Sequence, residues 1–96
     1  MMEKIGLWSD CYNTERLQEL VDDDGRPFRG EPNAWPQLAE NEYFYVRVHK
    51  AQNYQSAILY LCEKPEEALE LYRESVSFAG EIKFYKGNGI VVMGYG

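Results

Sequence analysis

The stretch EYFYVRVHKAQNYQSAILYLCE, residues 42–63, decides the fold class of this 96-residue chain. Its first half alternates between two kinds of side chain, which is the two-residue period of a β-strand with one buried face. The set predicted to be buried consists of Phe44, Val46 and Val48. The set predicted to face water consists of Tyr43, Tyr45, Arg47 and His49. Water-facing positions ordinarily carry lysine, glutamate and threonine, so this second set calls for an explanation.

The second half of the stretch fits either of two structures. Ala51, Tyr54, Ile58, Leu61 and Cys62 lie at helical spacing, whereas residues 57–62 are a continuous apolar run of strand length. We predict a hairpin with residues 50–53 as its loop, because setting His49 opposite Tyr54 gathers the apolar side chains on one face. That apolar face is predicted to contain Phe44, Val46, Val48, Ala57, Leu59 and Leu61. The other face is predicted to contain Tyr43, Tyr45, Arg47, His49, Tyr54, Ile58 and Tyr60.

Two other segments carry the signals of helices. Residues 65–77 begin with a proline followed by two glutamates, as helices often do. The stripe that this helix is predicted to bury consists of Ala68, Leu69, Tyr72 and Val76. Residues 14–22 are predicted to form a second helix, with an N-cap at Asn13 or Thr14 and an end at Gly25. Its apolar residues at helical spacing are Leu17, Leu20 and Val21.

The remaining segments complete a β-α-β-β-α-β-β order. Residues 4–8, 81–86 and 90–95 are predicted strands, and Asn88-Gly89 is a two-residue turn signal between the last two. Residues 25–41 are rich in proline and are predicted to be irregular, pinned by Phe28, Trp35 and Leu38. We therefore predict one compact α+β domain over residues 1–96, with a mainly antiparallel sheet and two helices packed on one face.

The charge of the chain restricts the classes of partner. Ten Lys and Arg residues against 16 Asp and Glu residues give a net charge of −6. Direct binding to nucleic acid or to an anionic membrane needs clustered cations, so neither is expected, whereas a basic protein would be attracted. The two cysteines are too few for a disulfide framework, and we expect reduced thiols in a cytoplasmic protein.

Acidic residues recur at helical spacing in both predicted helices. Glu63, Glu67, Glu70 and Glu74 would share one face of the second helix. Glu15, Glu19 and Asp22 would do the same on the first. Like charges at this spacing destabilise a helix slightly, so such a row indicates either a solvated face or a strip that meets a basic groove.

No pattern of catalytic or metal-binding residues is convincing. Asp22, Asp24, Gly25 and Glu31 match positions of a calcium-binding loop, but its first position is occupied by Leu20. The single histidine, His49, cannot be placed beside either cysteine from the sequence. We therefore predict no enzyme activity, no metal and no cofactor.

Three functional hypotheses remain. The first is a small acidic protein that binds and blocks a larger basic, nucleic-acid-handling protein, as phage-encoded antagonists of bacterial defence and immunity or antitoxin proteins do. Its predicted contact residues are Tyr43, Tyr45, Arg47, His49, Tyr54, Tyr60, Glu63, Glu67, Glu70 and Glu74. The alternative is a small-ligand binder or enzyme with a pocket between the sheet and residues 25–41, lined by Trp35, Tyr45, Arg47 and His49. The third is a structural homodimer.

Overall fold

The computed structural model describes residues 2–28, 31–52 and 56–92. Within those ranges the strands are β1 (Glu3–Leu7), β2 (Cys11–Tyr12), β3 (Gln18–Leu20), β4 (Tyr43–Lys50), β5 (Ile58–Cys62), β6 (Ala79–Gly87) and β7 (Val91–Val92), and the α-helix is α1 (Pro65–Ser75). Single 3-10 turns lie at Trp8–Asp10, Thr14–Arg16 and Pro32–Ala34. The strand pairs are antiparallel. The predicted α+β class with a mainly antiparallel sheet is confirmed, whereas the described residues contain one α-helix instead of two.

The strand predicted from the alternating sequence is observed as β4, and it lies at the centre of the main sheet. The main sheet has the order β1-β5-β4-β6-β3, and a separate two-stranded sheet pairs β2 with β7. Val46 is fully buried, and its neighbours Phe44 and Val48 are 2% and 4% exposed. These side chains define what we call the helix face of the sheet, because α1 packs on it. The opposite side, which carries Tyr43, Tyr45, Arg47 and His49, is called the tyrosine face.

The strand assignment of β5 is confirmed, but its predicted register is wrong. Tyr45 lies opposite Leu61, not Ile58, and Arg47 lies opposite Leu59. This is a shift of three residues, and an odd shift exchanges the two faces of a strand. Tyr60 therefore joins the helix face, and Leu59 joins the tyrosine face. The run from Ala57 to Cys62 is apolar on both sides, so its alternation does not select one register.

Helix α1 is confirmed close to its predicted bounds. Its buried residues are Ala68, Leu69, Leu71 and Ser75. Val76, which was predicted to be buried, follows the helix as its C-cap and is 49% exposed. The buried stripe lies at positions 68, 71 and 75, so the helix turns Tyr72 to the edge of the core and its glutamates outward.

The predicted helix over residues 14–22 is wrong. Asn13 adopts a left-handed conformation with φ 66°, one 3-10 turn follows, and the chain then extends as β3 along β6. Leu17 packs on the tyrosine face and Leu20 on the helix face. A separation of three residues puts two side chains on one side of a helix but on opposite sides of a strand, which explains why the spacing was misleading.

The chain after β6 does not return along the sheet as predicted. Strand β7 pairs with β2, Cys11 lying opposite Val92 and Tyr12 opposite Val91. Gly89 makes the departure possible, because its φ is +78° and an added Cβ would lie 2.8 Å from the Arg16 Nη1 atom. Residues 93–95 of the predicted last strand lie outside the described residues.

Part of the predicted irregular segment covers one end of the helix face. Trp35 is 5% exposed, and its ring makes edge-to-face contacts with Phe44 and Phe84, both at 5.2 Å between ring centroids. Phe28 and Leu38 are partly buried against the same cluster. The prediction that these three residues pin the segment is therefore confirmed.

Candidate functional surfaces

The sheet separates the predicted contact residues into two groups. Tyr43, Tyr45, Arg47 and His49 lie on the tyrosine face, whereas α1 and its glutamates lie over the opposite face. Tyr60 is partly buried against the helix-face core, and Tyr54 lies outside the described residues. The predicted residues therefore do not form one continuous surface.

The tyrosine face is covered at its centre, contrary to the expectation that it faces water. Tyr45 is 4% exposed, and it lies directly opposite Tyr85, which is 8% exposed. The side chains that cover this cluster come from both ends of the described chain and are Ile5, Trp8, Cys11, Leu17 and Ile90. These contacts make Tyr45 part of a second core, and they leave Tyr43, at 36% exposed, near the edge.

Arg47 is held by contacts inside the protein. Its guanidinium lies 4.9 Å from the centroid of the Trp8 ring, and that ring stacks on Tyr85 at 5.5 Å. Its Nη1 atom also donates a hydrogen bond of 3.1 Å to Glu81 Oε1. His49, the next residue on this face, is half-buried and lies opposite Glu81. Arg47 therefore helps to fasten the N-terminal segment to the sheet.

The glutamates of α1 differ from one another in their roles. Glu67 is half-buried, and its Oε1 atom accepts hydrogen bonds of 3.1 Å from the backbone N–H groups of Glu63 and Lys64. This arrangement is half of a capping box and stabilises the start of the helix. Glu70 and Glu74 are exposed and form no ion pair with any residue in the described ranges. Of the four glutamates in the predicted row, Glu67 therefore has a structural role, whereas Glu63, Glu70 and Glu74 are exposed.

Glu66 belongs to the same surface although it lies outside the predicted row. It is exposed and precedes Glu70 by one turn, as Glu70 precedes Glu74. Successive residues along this line are about 6 Å apart along the helix axis, because each helical residue rises about 1.5 Å. We call the surface formed by Glu63, Glu66, Glu70 and Glu74 the acidic face.

The acidic residues of the wrongly predicted helix do not form a second strip. Glu19 on β3 lies 4.0 Å from Lys83, whereas Glu15 lies in a 3-10 turn. Asp22 Oδ1 accepts hydrogen bonds from the N–H groups of Asp24 and Arg26, at 2.9 and 3.0 Å. The run of aspartates thus closes a tight turn, in which Gly25 has a φ of +79°.

The four residues predicted to line the pocket of the alternative hypothesis do not lie together. Trp35 packs on the helix face, whereas Tyr45, Arg47 and His49 lie on the tyrosine face, so the sheet stands between them. A cleft of about 440 Å³ near the end of α1 carries both signs of charge. The charged residues that line it are Glu19, Glu81, Arg26 and Lys83, two of each sign, so the cleft has little preference for a ligand of one charge.

A larger groove of about 850 Å³ lies between residues 32–38 and the start of α1. Its lining combines apolar residues with the amides Asn33 and Gln37 and with the carboxylates Glu63 and Glu66. The sequence signal that could have located it is the proline-rich segment, which was recognised as irregular but was not connected with the glutamates of α1. The groove and the acidic face share Glu63 and Glu66, so they form one continuous surface.

The described residues offer few other clues to chemistry. In those ranges no three or more His, Cys, Asp or Glu side chains are grouped so that they could hold a metal ion. Helix α1, the single α-helix described, is too short and too polar to cross a bilayer. Comparison of the chain with protein families, curated proteins and solved structures gives no match.

Proposed function

We propose that this protein is a non-enzymatic inhibitor that uses the acidic face of α1 to cover a basic surface of a larger protein. The observation that carries the proposal is that Glu66, Glu70 and Glu74 are exposed on one side of the helix and have no cationic partner within the described ranges. Neighbouring like charges cost a few tenths of a kcal/mol per pair in the free protein. Cations on a partner would remove that cost.

The proposed target is a nucleic-acid-handling protein. Such proteins carry clustered lysine and arginine where they bind nucleic-acid phosphates. A line of carboxylates on a rigid helix has the same negative charge as those phosphates, so it can bind the same cations. The net charge of −6 would also speed the encounter of the two proteins. This mode of action suits phage-encoded antagonists of bacterial defence and immunity or antitoxin proteins, among which small acidic single-domain chains are common.

The test compares wild-type protein with two variants of equal net charge. Glu70→Lys with Glu74→Lys reverses the charge of the C-terminal half of the acidic face and leaves the Glu67 cap intact. Asp10→Lys with Glu15→Lys makes the same change in charge on the two 3-10 turns before β3, in the segment that packs on the tyrosine face. All three proteins are immobilised and exposed to lysate at about 50 and about 500 mM NaCl, between which screening lengths fall severalfold.

Wild-type protein and the Asp10/Glu15 variant should retain the same partner at low salt, and the Glu70/Glu74 variant should not. With the purified partner, reversal of the two charges should weaken binding at least about tenfold, and added duplex DNA should compete. Equal retention by the Glu70/Glu74 variant, or an affinity that does not change with salt, would show that the acidic face is not the contact surface.

A further inference from the structure

The groove beside the acidic face has proline-rich walls and an aromatic floor, and Asn33 and Gln37 add amide groups to its lining. Three prolines, Pro32, Pro36 and Pro65, line it together with Leu38. Proline has a fixed φ and no N–H group, so these walls lose little freedom when a ligand enters. Trp35 and Phe44 also line the groove and are nearly buried, so they form its floor.

The floor is held in place by aromatic contacts from beneath. The Trp35 ring makes edge-to-face contacts with Phe28 at 5.6 Å, in addition to those with Phe44 and Phe84. Edge-to-face pairs of this kind add specific orientation to the burial of apolar area. The groove is therefore preformed in the free protein.

The charge at the rim of the groove has one sign. Of the groove residues that the structure describes, the two charged ones are Glu63 and Glu66. Arginine and lysine have long apolar stems and cationic ends, so an apolar groove with carboxylates at its rim matches both parts of these side chains. An acidic or purely apolar segment would match one part and be opposed by the other.

We propose that this groove receives an extended segment of the basic partner, in which an arginine or lysine is flanked by apolar residues. The stem of the cationic side chain lies along Pro36 and Pro65, and its charged end meets Glu66. The flanking apolar residues fill the space above Trp35. This inference rests on the proposed function, and it adds that recognition combines an anchored segment with the attraction of the acidic face.

The two tryptophans provide a built-in reporter and control. Trp35 lies under the groove, and its buried Nε1–H group has no acceptor among the described residues. Trp8 lies on the tyrosine face, on the other side of the sheet. In a ¹H–¹⁵N spectrum, a ligand in the groove should shift the Trp35 indole resonance and leave that of Trp8 unchanged. Substitution of Trp8 by Phe assigns the two signals.

The probe is a short acetylated and amidated peptide in which arginines alternate with leucines. Two matched peptides replace either the leucines by serines or the arginines by glutamates. The arginine–leucine peptide should shift the Trp35 indole signal to saturation, the serine peptide should bind at least about tenfold more weakly, and the glutamate peptide should not bind. A Trp35 signal that stays unmoved by the arginine–leucine peptide would overturn the inference.

Two pairs of substitutions separate the groove from general attraction. Glu63→Gln with Glu66→Gln removes the charges at the rim, whereas Glu70→Gln with Glu74→Gln removes the same charge from the acidic face beyond it. The first pair should weaken peptide binding about tenfold, and the second by no more than about threefold. Equal losses from both pairs would overturn the groove as the anchoring site.

The peptide experiment tests the groove, and the lysate experiment tests the proposed function, so a failure of one can be told from a failure of the other. Retention of the partner from lysate that is lost in the Glu70→Lys/Glu74→Lys protein supports the function, even if the peptide does not move Trp35. Retention of the partner by that charge-reversed protein overturns the function, whatever the peptide does at the groove.

Discussion

At the scale of single residues, burial sets the reactivity of the two cysteines. Cys62 is fully buried, and burial, together with the nearby Glu67 carboxylate, raises its pKa to about 12. Burial and then Asp10 raise the pKa of the Cys11 thiol, and its Sγ atom lies 3.3 Å from the Leu7 carbonyl oxygen that accepts its hydrogen bond. The thiolate is the reactive form, so both groups are poor nucleophiles near neutral pH.

We therefore expect iodoacetamide at about pH 8 to leave Cys62 unlabelled in the folded protein and to label Cys11 more slowly than a free thiol. In urea both cysteines should react at the same rate. Mass spectrometry of peptides after timed labelling measures the two rates separately. Labelling of Cys62 at its unfolded rate under native conditions would contradict the buried site.

A second prediction at this scale concerns Arg47, which the sequence analysis assigned to partner binding. Its contact with Trp8 and its ion pair with Glu81 predict that Arg47→Ala lowers the free energy of unfolding by about 1 kcal/mol. A double-mutant cycle with Trp8→Ala should give a coupling energy of about 0.5–1 kcal/mol. Urea unfolding of the four proteins provides the values.

The control is a second double-mutant cycle that combines Lys50→Ala with Trp8→Ala. The Lys50 amino group lies over the Phe78 ring and not over the Trp8 ring. Trp8 and Lys50 share no contact, so their coupling energy should be near zero. If Arg47 were present only for a partner, Arg47→Ala would leave stability unchanged and the two cycles would give the same result.

At the scale of elements, the start of α1 depends on one side chain. Glu67 accepts hydrogen bonds from the backbone N–H group of Lys64, the N-cap residue, and from that of Glu63 before it. Glu67→Ala should therefore cost about 1 kcal/mol of unfolding free energy, whereas Glu70→Ala, on the exposed side, should change it by less than about 0.5 kcal/mol. Urea unfolding measures both. Equal effects would show that Glu67 is not a cap.

Elements whose sequences have one dominant pattern could be predicted, and those with two could not. Strand β4 alternates clearly, and α1 combines Pro65 with a buried stripe, so both were found near their observed bounds. Strand β5 is apolar on both sides, so its own sequence does not select one register. The register is set by the side chains that pack on its two faces, which lie elsewhere in the chain. Leu17 and Leu20 fit a helix locally, but each contributes more by packing on a different face of the sheet.

At the scale of the whole molecule, the described fold has three layers and two cores. Helix α1 and Trp35 cover the helix face, while Trp8, the β2–β7 sheet and Ile90 cover the tyrosine face. Helical spacing predicted three members of the acidic face, Glu63, Glu70 and Glu74, but it missed Glu66 and included Glu67, whose carboxylate instead accepts backbone hydrogen bonds. The burial of Tyr45 could not be predicted, because the residues that cover it, from Ile5 to Leu17 and Ile90, lie 28 to 45 positions away along the chain, and local patterns carry no information on such contacts.

The two cores make the stability of the whole protein sensitive to alkaline pH. Burial raises the pKa of Cys62 on the helix face from an ordinary value of 9.0 to about 12, and burial raises that of Tyr45 on the tyrosine face above its ordinary value of 10.0. Neighbouring Tyr43 and Cys11 raise the Tyr45 value further. Because the folded state holds these protons more tightly than the unfolded state, each group contributes stability that is present below its unfolded pKa and is lost as the pH rises toward its folded pKa.

We therefore expect the urea midpoint of unfolding to be steady up to about pH 8.5 and to fall progressively at higher pH. Tyr45→Phe should flatten the decline above about pH 10, and Cys62→Ala should flatten it from about pH 9, whatever its effect on stability at neutral pH. Tyr12→Phe is the matched control, because the Tyr12 side chain is 51% exposed and should leave the slope unchanged. If Tyr45→Phe and Tyr12→Phe give the same pH profile as the wild-type protein, the tyrosine face is open to water in solution. In that case Tyr45 would return to the set of candidate contact residues.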